Sequence, residues 1–244
     1  MDKSFKPVKS VFNSNHEAIK GIMELYGIDQ FDLDCTYSQG TFWKGIKGPK
    51  IKSDITPLHD DVLEANSENL PFENNSMGSI MYDPPFLIAG KTYKDNKEGS
   101  SVIAKRFVCY TTFNDLKKNY YNSLKELYRI CKDDGYVVFK CQDTVSGGRN
   151  HFSHVMIMNM AMELGFYPKD LFILIAKMRI NSFGGRWNKQ IHARKHHCYF
   201  WVFQKTKPKV NYEKIIQEDF VVNQDTFLPD HQASNFVKSS QEIQ

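Results

Sequence analysis

Short strand-like runs alternate along this chain with longer stretches of helical periodicity, and that alternation constrains the fold most. Apolar residues recur at helical spacing after Asn13 or Ser14, after Phe113 and after Asn150. Because strands that alternate with amphipathic helices are typical of βα units, the sequence predicts an α/β fold with a largely parallel sheet. The predicted helices end at Tyr26, Cys131 and Leu164, and the seven predicted strands are Gln30 to Cys35, Pro49 to Asp54, Val62 to Ala65, Gly78 to Tyr82, Tyr136 to Cys141, Leu171 to Met178 and His197 to Phe203.

Length and composition bound the class of protein. The 244 residues, of which 41% are hydrophobic and 25% charged, suffice for one large globular domain. We predict this domain over residues 1–205, followed by a polar, acidic tail over residues 206–244. No apolar stretch approaches the roughly 20 residues that span a bilayer, and the N-terminus lacks the features of a secretory signal. The expected location is therefore the cytoplasm, without membrane association.

Cysteine and histidine usage does not predict a metal site. The five cysteines are scattered and form no Cys-x-x-Cys pair, which is typical of reduced thiols. The nearest approach to a metal-binding cluster is the run from His192 to Cys198, but neighbouring strand residues point to opposite faces of a sheet. We expect no bound metal.

Positive charge is concentrated in one segment. Residues 171–212 contain nine Lys and Arg residues and no Asp or Glu. A basic stretch of this kind favours a surface that faces a polyanion, and the alternative is a solvated basic hairpin with no ligand. The candidate phosphate contacts in this segment are Arg179, Arg186, Lys189, Arg194 and Lys195. Trp187 is either a side chain that stacks or wedges in the nucleic acid or part of the core.

The residues that most directly suggest chemistry are Asp83, Pro84, Pro85 and Phe86, which follow a predicted strand. Ligands of open α/β sheets bind beyond the carboxyl ends of the strands. The prolines fix the backbone, so that the carboxylate of Asp83 and a backbone carbonyl can accept hydrogen bonds from one exocyclic amine. Phe86 can stack on a flat base. The alternative is a proline-rich turn without a catalytic role.

A second group of polar residues lies at the ends of two earlier strands. The strand that ends at Asp34 runs into a loop containing Gly40, where a ligand can approach the backbone closely. The next strand ends at Asp54, the position at which doubly wound nucleotide-binding folds place an acid for the ribose hydroxyls. Asn66 could contact an adenine ring. A dinucleotide fingerprint and a phosphate-binding Gly-x-x-x-x-Gly-Lys loop are both missing from the sequence, which disfavours NAD and ATP.

With these motifs in this order, the chain resembles the class I S-adenosylmethionine-dependent methyltransferases that modify adenine N6 or cytosine N4 in DNA. The resemblance covers most of residues 10–205. It implies a Rossmann-like, seven-stranded, mostly parallel sheet with an antiparallel last strand and helices on both faces. It also implies S-adenosylmethionine as the cofactor.

The resemblance implies roles for individual residues. The quartet from Asp83 to Phe86 would bind the target amine, Asp54 the cofactor ribose and Asn66 its adenine. Two positions depart from the family pattern, because Ser38 stands where a glycine is usual and Asn66 where an acid is usual. The residues placed in the methionine-binding loop are Asp34, Cys35, Thr36, Tyr37 and Gly40.

These observations predict a DNA methyltransferase that transfers the methyl group to an exocyclic amine, with adenine N6 favoured over cytosine N4. No separate target-recognition domain is evident, so sequence would be read by the loops over residues 87–112 and 179–196 or by a partner chain. A homodimer or a partner subunit fits this arrangement. Two alternatives stay open: an RNA adenine-N6 methyltransferase, and a catalytically silent nucleic-acid-binding subunit.

Overall fold

The computed structural model describes residues 7–88, 110–176 and 191–206. Contacts divide the chain into two units, Met1–Lys209 and Val210–Gln244, and the described residues lie in the first. Within these residues, no helix is both long enough and apolar enough to cross a membrane. The tail predicted over residues 206–244 lies almost entirely outside the described residues.

A central eight-stranded sheet organises the described residues, with the strand order β1-β9-β10-β6-β5-β2-β3-β4. Strand β10 runs antiparallel to its neighbours β6 and β9, and every other pair in this sheet is parallel. A separate hairpin pairs β7 with β8. The strands are β1 Val11–Phe12, β2 Leu33–Asp34, β3 Ile51–Asp54, β4 Leu63–Glu64, β5 Met77–Tyr82, β6 Cys131–Cys141, β7 Thr144–Ser146, β8 Arg149–His151, β9 Phe166–Ile175 and β10 His197–Lys205.

The predicted α/β fold with an antiparallel last strand is confirmed. All seven predicted strands are present, and β1 adds an eighth at the edge of the sheet, where Val11 pairs with Ile173. Strand β1 pairs with residues more than 150 positions away, so local pattern did not indicate it.

In the described part of the chain, three helices pack against the sheet, and their ends follow from local sequence. Helix α1, Asn15–Tyr26, begins where the Ser14 hydroxyl accepts a hydrogen bond from the Glu17 N–H. Helix α2, Phe113–Ile130, begins with a capping box at Thr112. Helix α3, Ser153–Leu164, begins later than predicted because residues 150 and 151 belong to β8.

The helices cover both faces of the sheet, as predicted. Helices α2 and α3 pack on one face, around fully buried Leu124, Phe139 and Ile157. Helix α1 covers the other face, around Ile19 and Phe200. Because β2 to β6 are parallel, their carboxyl ends meet at one edge of the sheet. Both groups of candidate residues lie at this edge.

Connections between β2 and β5 are short. In residues 33–82, all of which are described, the helical structure is a single 3-10 turn, Thr41–Trp43. The ring of Trp43 is buried against Phe31, with the two ring centroids 5.5 Å apart. Trp43 thus packs this connection onto the sheet. Parallel strands are usually connected by a longer helix.

Candidate active site

Three carboxylates and one ammonium group lie at the carboxyl edge of the sheet. Asp34 ends β2, Asp54 ends β3 and Asp83 follows β5, while Lys140 lies near the end of β6. Since β3, β2, β5 and β6 are consecutive neighbours in the sheet, these side chains form a row along the edge. The structure thus places the first and second groups of sequence candidates side by side.

Asp34 is almost completely buried, with 2% of its surface exposed. Its Oδ1 accepts hydrogen bonds from the Thr36 backbone N–H at 2.9 Å and from the Thr36 hydroxyl at 3.2 Å, and its Oδ2 accepts one from the Trp43 indole at 2.7 Å. Burial, together with the nearby Asp83 carboxylate, raises the pKa of Asp34 to about 7 despite these donors. The carboxyl group therefore changes charge near neutral pH.

The loop after Asp34 turns through two left-handed residues. Ser38 has φ +51° and Gly40 has φ +64°. The Ser38 backbone N–H donates to Oδ2 of Asp54 at 2.8 Å, and the Thr56 N–H donates to Oδ1 at 2.9 Å. Ser38 stands where the resembled family usually has glycine. Its backbone adopts the left-handed conformation that favours glycine, and this chain adopts it with serine.

The other predicted cofactor contacts differ in accessibility. The Cys35 side chain points into the core, where its thiol donates to the Met81 carbonyl at 3.5 Å and burial raises its pKa well above the usual value. Only the backbone of this residue is therefore positioned to meet a ligand. Tyr37 is half-buried. Asn66 is exposed after β4, and its Oδ1 accepts from the Glu68 N–H at 3.0 Å.

The quartet predicted to bind the target amine lies directly after β5. The Asp83 backbone N–H donates to the Thr36 hydroxyl at 2.7 Å, and the Pro85 carbonyl accepts from the Tyr120 hydroxyl at 2.9 Å. Pro84 is buried, and Phe86 is half-buried. Both ends of the quartet are thus fixed by side chains of distant segments.

The Thr36 hydroxyl joins the two halves of the site. It donates to Oδ1 of Asp34 and accepts from the backbone N–H of Asp83. This single group therefore couples the loop after β2 to the loop after β5. Sequence reasoning included Thr36 among the cofactor contacts but provided no indication of this bridge.

Lys140 is the main site residue that sequence reasoning missed. Its Nζ lies 2.9 Å from Oδ2 of Asp83, and the residue is 8% exposed. The ammonium group also lies 4.9 Å from the ring centroid of Phe42 and 5.7 Å from that of Phe200. The available signal was a single lysine within the apolar strand Val137–Cys141, because such a cation requires a buried partner.

The predicted polyanion contacts are only partly within the described residues. Arg194 and Lys195 are described, and they lie just before β10. Arg179, Arg186, Trp187 and Lys189 lie outside the described residues, as do residues 89–109 of the first predicted recognition loop. Among the residues that are described, no three potential metal ligands cluster together.

Comparison with known proteins gives one family match. A family model described as DNA methylase matches residues 78–239. This span begins at β5 and includes the quartet, Lys140 and the basic segment. No curated protein matches the chain.

Solved structures give more distant similarity. One is a protein of Thermus thermophilus, named provisionally as a DNA modification methylase and complexed with S-adenosyl-L-methionine, at 15% identity and TM-score 0.40. The match covers 60% of this chain and 56% of that one, so the chain spans little more than half of its length. A SAM-dependent methyltransferase from Methanosarcina mazei matches at 11% identity and TM-score 0.44, over 76% of this chain and 97% of that one.

Proposed function

Because the chain belongs to the DNA methylase family that acts on N6 or N4 amines, we propose that it transfers the methyl group of S-adenosylmethionine to an exocyclic amine of a DNA base. Adenine N6 is the proposed target in preference to cytosine N4. The observation that carries the proposal is the position of the quartet from Asp83 to Phe86, which follows β5 next to Asp34 and is tied to it through Thr36.

The quartet is suited to an amine. Lys140 binds Oδ2 of Asp83, and no described residue donates a hydrogen bond to Oδ1. An amine N–H can therefore donate to Oδ1 of a carboxylate that the ammonium group keeps in place. This hydrogen bond would polarise the N–H bond of the amine and leave the nitrogen lone pair directed at the methyl donor. No aromatic ring among the described residues packs against Phe86, and its ring can stack on a base.

The loop after β2 has the properties that a cationic cofactor needs. Asp34 is a buried carboxylate beside a second carboxylate, Asp83, and a positive charge would offset the cost of ionising both. Asp54 has both oxygens anchored by backbone N–H groups, and each oxygen keeps a lone pair for a ribose hydroxyl. Bound S-adenosylmethionine would supply an electrophilic methyl group on its sulfonium sulfur.

The roles of the remaining predicted residues form part of the same proposal. Gly40, Thr36, Tyr37 and the Cys35 backbone would line the methionine part of the cofactor, and Asn66 would contact its adenine. The basic side chains Arg179, Arg186, Lys189, Arg194 and Lys195 would hold DNA phosphates, with Trp187 stacking or wedging between bases. No thiol takes part, because methyl transfer from sulfur to nitrogen needs no covalent enzyme intermediate.

The decisive experiment is a transfer assay with S-adenosylmethionine labelled in its methyl group. Duplex DNA, single-stranded DNA and RNA are incubated separately with the protein, and the modified nucleoside is identified by mass spectrometry. We expect N6-methyladenine in DNA. Label only in RNA would instead support the RNA methyltransferase. No transfer from a preparation that binds nucleic acid would support a silent subunit. Labelled N4-methylcytosine would support the same class of enzyme and would replace adenine by cytosine as the target base.

A further inference from the structure

A cluster of side chains next to the quartet is not used by the proposed methyl transfer. It lies where β6 ends at Cys141 and where β10 begins at His197. We propose that Phe152, His154 and Lys195 form a subsite for the nucleotide that neighbours the target base on a DNA strand, with Phe152 stacking on its base, the Lys195 ammonium binding its phosphate and the His154 ring bounding the subsite edge-on to Phe152. This inference rests on the proposed function and specifies how the strand is held.

His154 is oriented by a buried acid. Its Nδ1 lies 2.7 Å from Oδ1 of Asp143, which is 3% exposed, and its ring stacks on Tyr199 with centroids 4.1 Å apart. The Tyr199 hydroxyl donates to the other oxygen of Asp143 at 3.4 Å. With Nδ1 taken, the imidazole directs Nε2 away from Asp143. Among the described residues none bonds to this Nε2, and 20% of the side chain is exposed.

Phe152 is unusually exposed among the aromatic residues that the structure describes. It is 56% exposed, although it directly precedes α3. The Lys195 ammonium lies 5.8 Å from its ring centroid, and the His154 ring lies edge-on at 6.4 Å. An aromatic face flanked by an ammonium group matches a nucleotide, because the base stacks and the phosphate binds the cation.

Charge supports a polyanion as the occupant. Residues 144–162 and 171–212 contain no Asp or Glu, so the acid nearest to Phe152 in sequence is the buried Asp143. Phe152 also lines a groove between α2 and α3, together with Lys117, Lys118 and a single acid, Glu163. The cluster is thus continuous with further positive charge, as a path for a strand requires.

Hydrogen bonds across the chain fix the cluster in place. The Gln142 amide donates to the backbone carbonyls of Lys195 and His197 at 3.1 and 3.3 Å. His192 Nε2 lies 2.8 Å from the carbonyl of Gly148, in the turn of the β7–β8 hairpin. These bonds therefore tie the segment after β6 and the turn of the β7–β8 hairpin to the residues at the start of β10 and just before it.

The subsite lies at the same edge of the sheet as the quartet. Strands β5 and β6 are adjacent, and Tyr82 pairs with Phe139, so Asp83 is level with Lys140. Asp143, which orients His154, follows β6 three residues further along, about 10 Å beyond Lys140. The subsite is therefore placed beside the target site, as the nucleotide next to the target base requires.

The stacking part is tested by fluorescence anisotropy with a labelled 12-nucleotide single-stranded DNA and the intact chain. Phe152→Ala and Phe152→Leu should weaken binding by about 5- to 100-fold, since one base–aromatic stack contributes about 1–3 kcal/mol. Phe152→Tyr should bind as the wild type. The matched control is Leu25→Ala, which removes a 47% exposed apolar side chain from α1 on the opposite face of the sheet.

The phosphate part is tested with the same 12-mer carrying a neutral methylphosphonate backbone. Lys195→Ala should weaken binding of the normal strand and leave binding of the neutral strand unchanged. Lys195→Ala should also reduce the slope of log affinity against log salt by about 0.7. Lys132→Ala, at the opposite end of β6, is the control for charge.

Two results would overturn the subsite. One is wild-type affinity in the Phe152→Leu variant, and the other is an equal loss for a 12-mer that consists of abasic sugar phosphates. Preference of the wild type for RNA over the DNA 12-mer would overturn the assignment to DNA. Methyl transfer by the wild type, measured in parallel, separates the two proposals. Normal transfer with unaffected binding in the variants refutes the subsite alone, and absent transfer with impaired binding refutes the function alone.

Discussion

The two halves of the sheet edge hold their polar residues in different ways. In the short-strand half, β2, β3 and β4 have two to four residues each, and Asp34 and Asp54 are held by groups of the loops that follow. Backbone N–H groups bind Asp54, and the Thr36 backbone and hydroxyl with the Trp43 indole bind Asp34. In the long-strand half, β5, β6 and β10 have six to eleven residues. There Asp83 is held by Lys140, a side chain of the neighbouring strand.

In the proposed enzyme, this difference assigns cofactor binding to the short-strand half and methyl transfer to the long-strand half. Loops that follow short strands can adjust to a cofactor and close on it. Long strands buried on both faces keep two side chains in a fixed mutual position, which a transfer step between two bound molecules requires. Changes in the long-strand half should therefore lower kcat, whereas changes in the short-strand half should alter cofactor affinity.

Asp83 gives the largest expected effect. Asp83→Asn and Asp83→Ala should reduce kcat for DNA methylation by about 10²- to 10³-fold, because the oriented acceptor for the amine is lost. The cofactor dissociation constant, measured by isothermal titration calorimetry, should change little. Asp29→Ala, which removes an exposed carboxylate far from the edge, serves as the control. Turnover near the wild-type rate in Asp83→Ala would refute the role of the quartet.

Lys140 gives the second effect and tests the long-strand half directly. Lys140→Met removes the ammonium group from Asp83, and a hydrogen bond between charged groups contributes about 1.5–3 kcal/mol. We expect kcat to fall about 10- to 100-fold with the KM for the cofactor little changed, and Lys140→Arg to recover part of the rate.

Lys132→Met removes a lysine from the same strand without touching Asp83, and it should leave kcat unchanged. If Lys140→Met instead raised the cofactor KM and preserved kcat, the separation between the two halves would fail. Thermal unfolding of each variant distinguishes loss of positioning from loss of the fold.

The contrast between loop-held and strand-held residues also explains which features could be predicted from the sequence. Asp34, Asp54 and the quartet follow strands, and strand ends are visible as changes in periodicity, so their shared edge could be inferred. The bridge through Thr36 and the ion pair of Lys140 join residues 47 and 57 positions apart. Which side chains meet across a sheet depends on strand order and register, and local pattern carries neither. For the same reason β1, which pairs with residues more than 150 positions away, was not predicted.

The third effect concerns the pH dependence of cofactor binding in the short-strand half. The pKa of Asp34 is raised to about 7, so its carboxyl group is protonated below that pH in the free protein. A cationic cofactor favours the ionised form. Affinity for S-adenosylmethionine should therefore weaken up to about tenfold per unit as pH falls below 7, and should level off above about pH 8.

Calorimetry between pH 5.5 and 8.5 measures this dependence. Asp34→Asn, which cannot ionise, should bind more weakly at pH 8 and show no comparable slope. A wild-type affinity that stays constant across the range would mean that the Asp34 carboxylate does not interact with the cofactor charge.

Ser38 gives the smallest effect and tests whether the loop of the short-strand half is held by its backbone. Ser38 has φ +51°, a conformation that costs residues other than glycine about 1 kcal/mol or more. Ser38→Gly removes that cost but adds chain entropy in the unfolded state, so it should stabilise the fold by no more than about 0.5 kcal/mol. Ser146→Gly, in strand β7 at ordinary φ, should destabilise it by about 0.5–1 kcal/mol. Urea unfolding compares the two variants, and equal destabilisation by both would mean that the Ser38 side chain, rather than its backbone, holds this loop to Asp54.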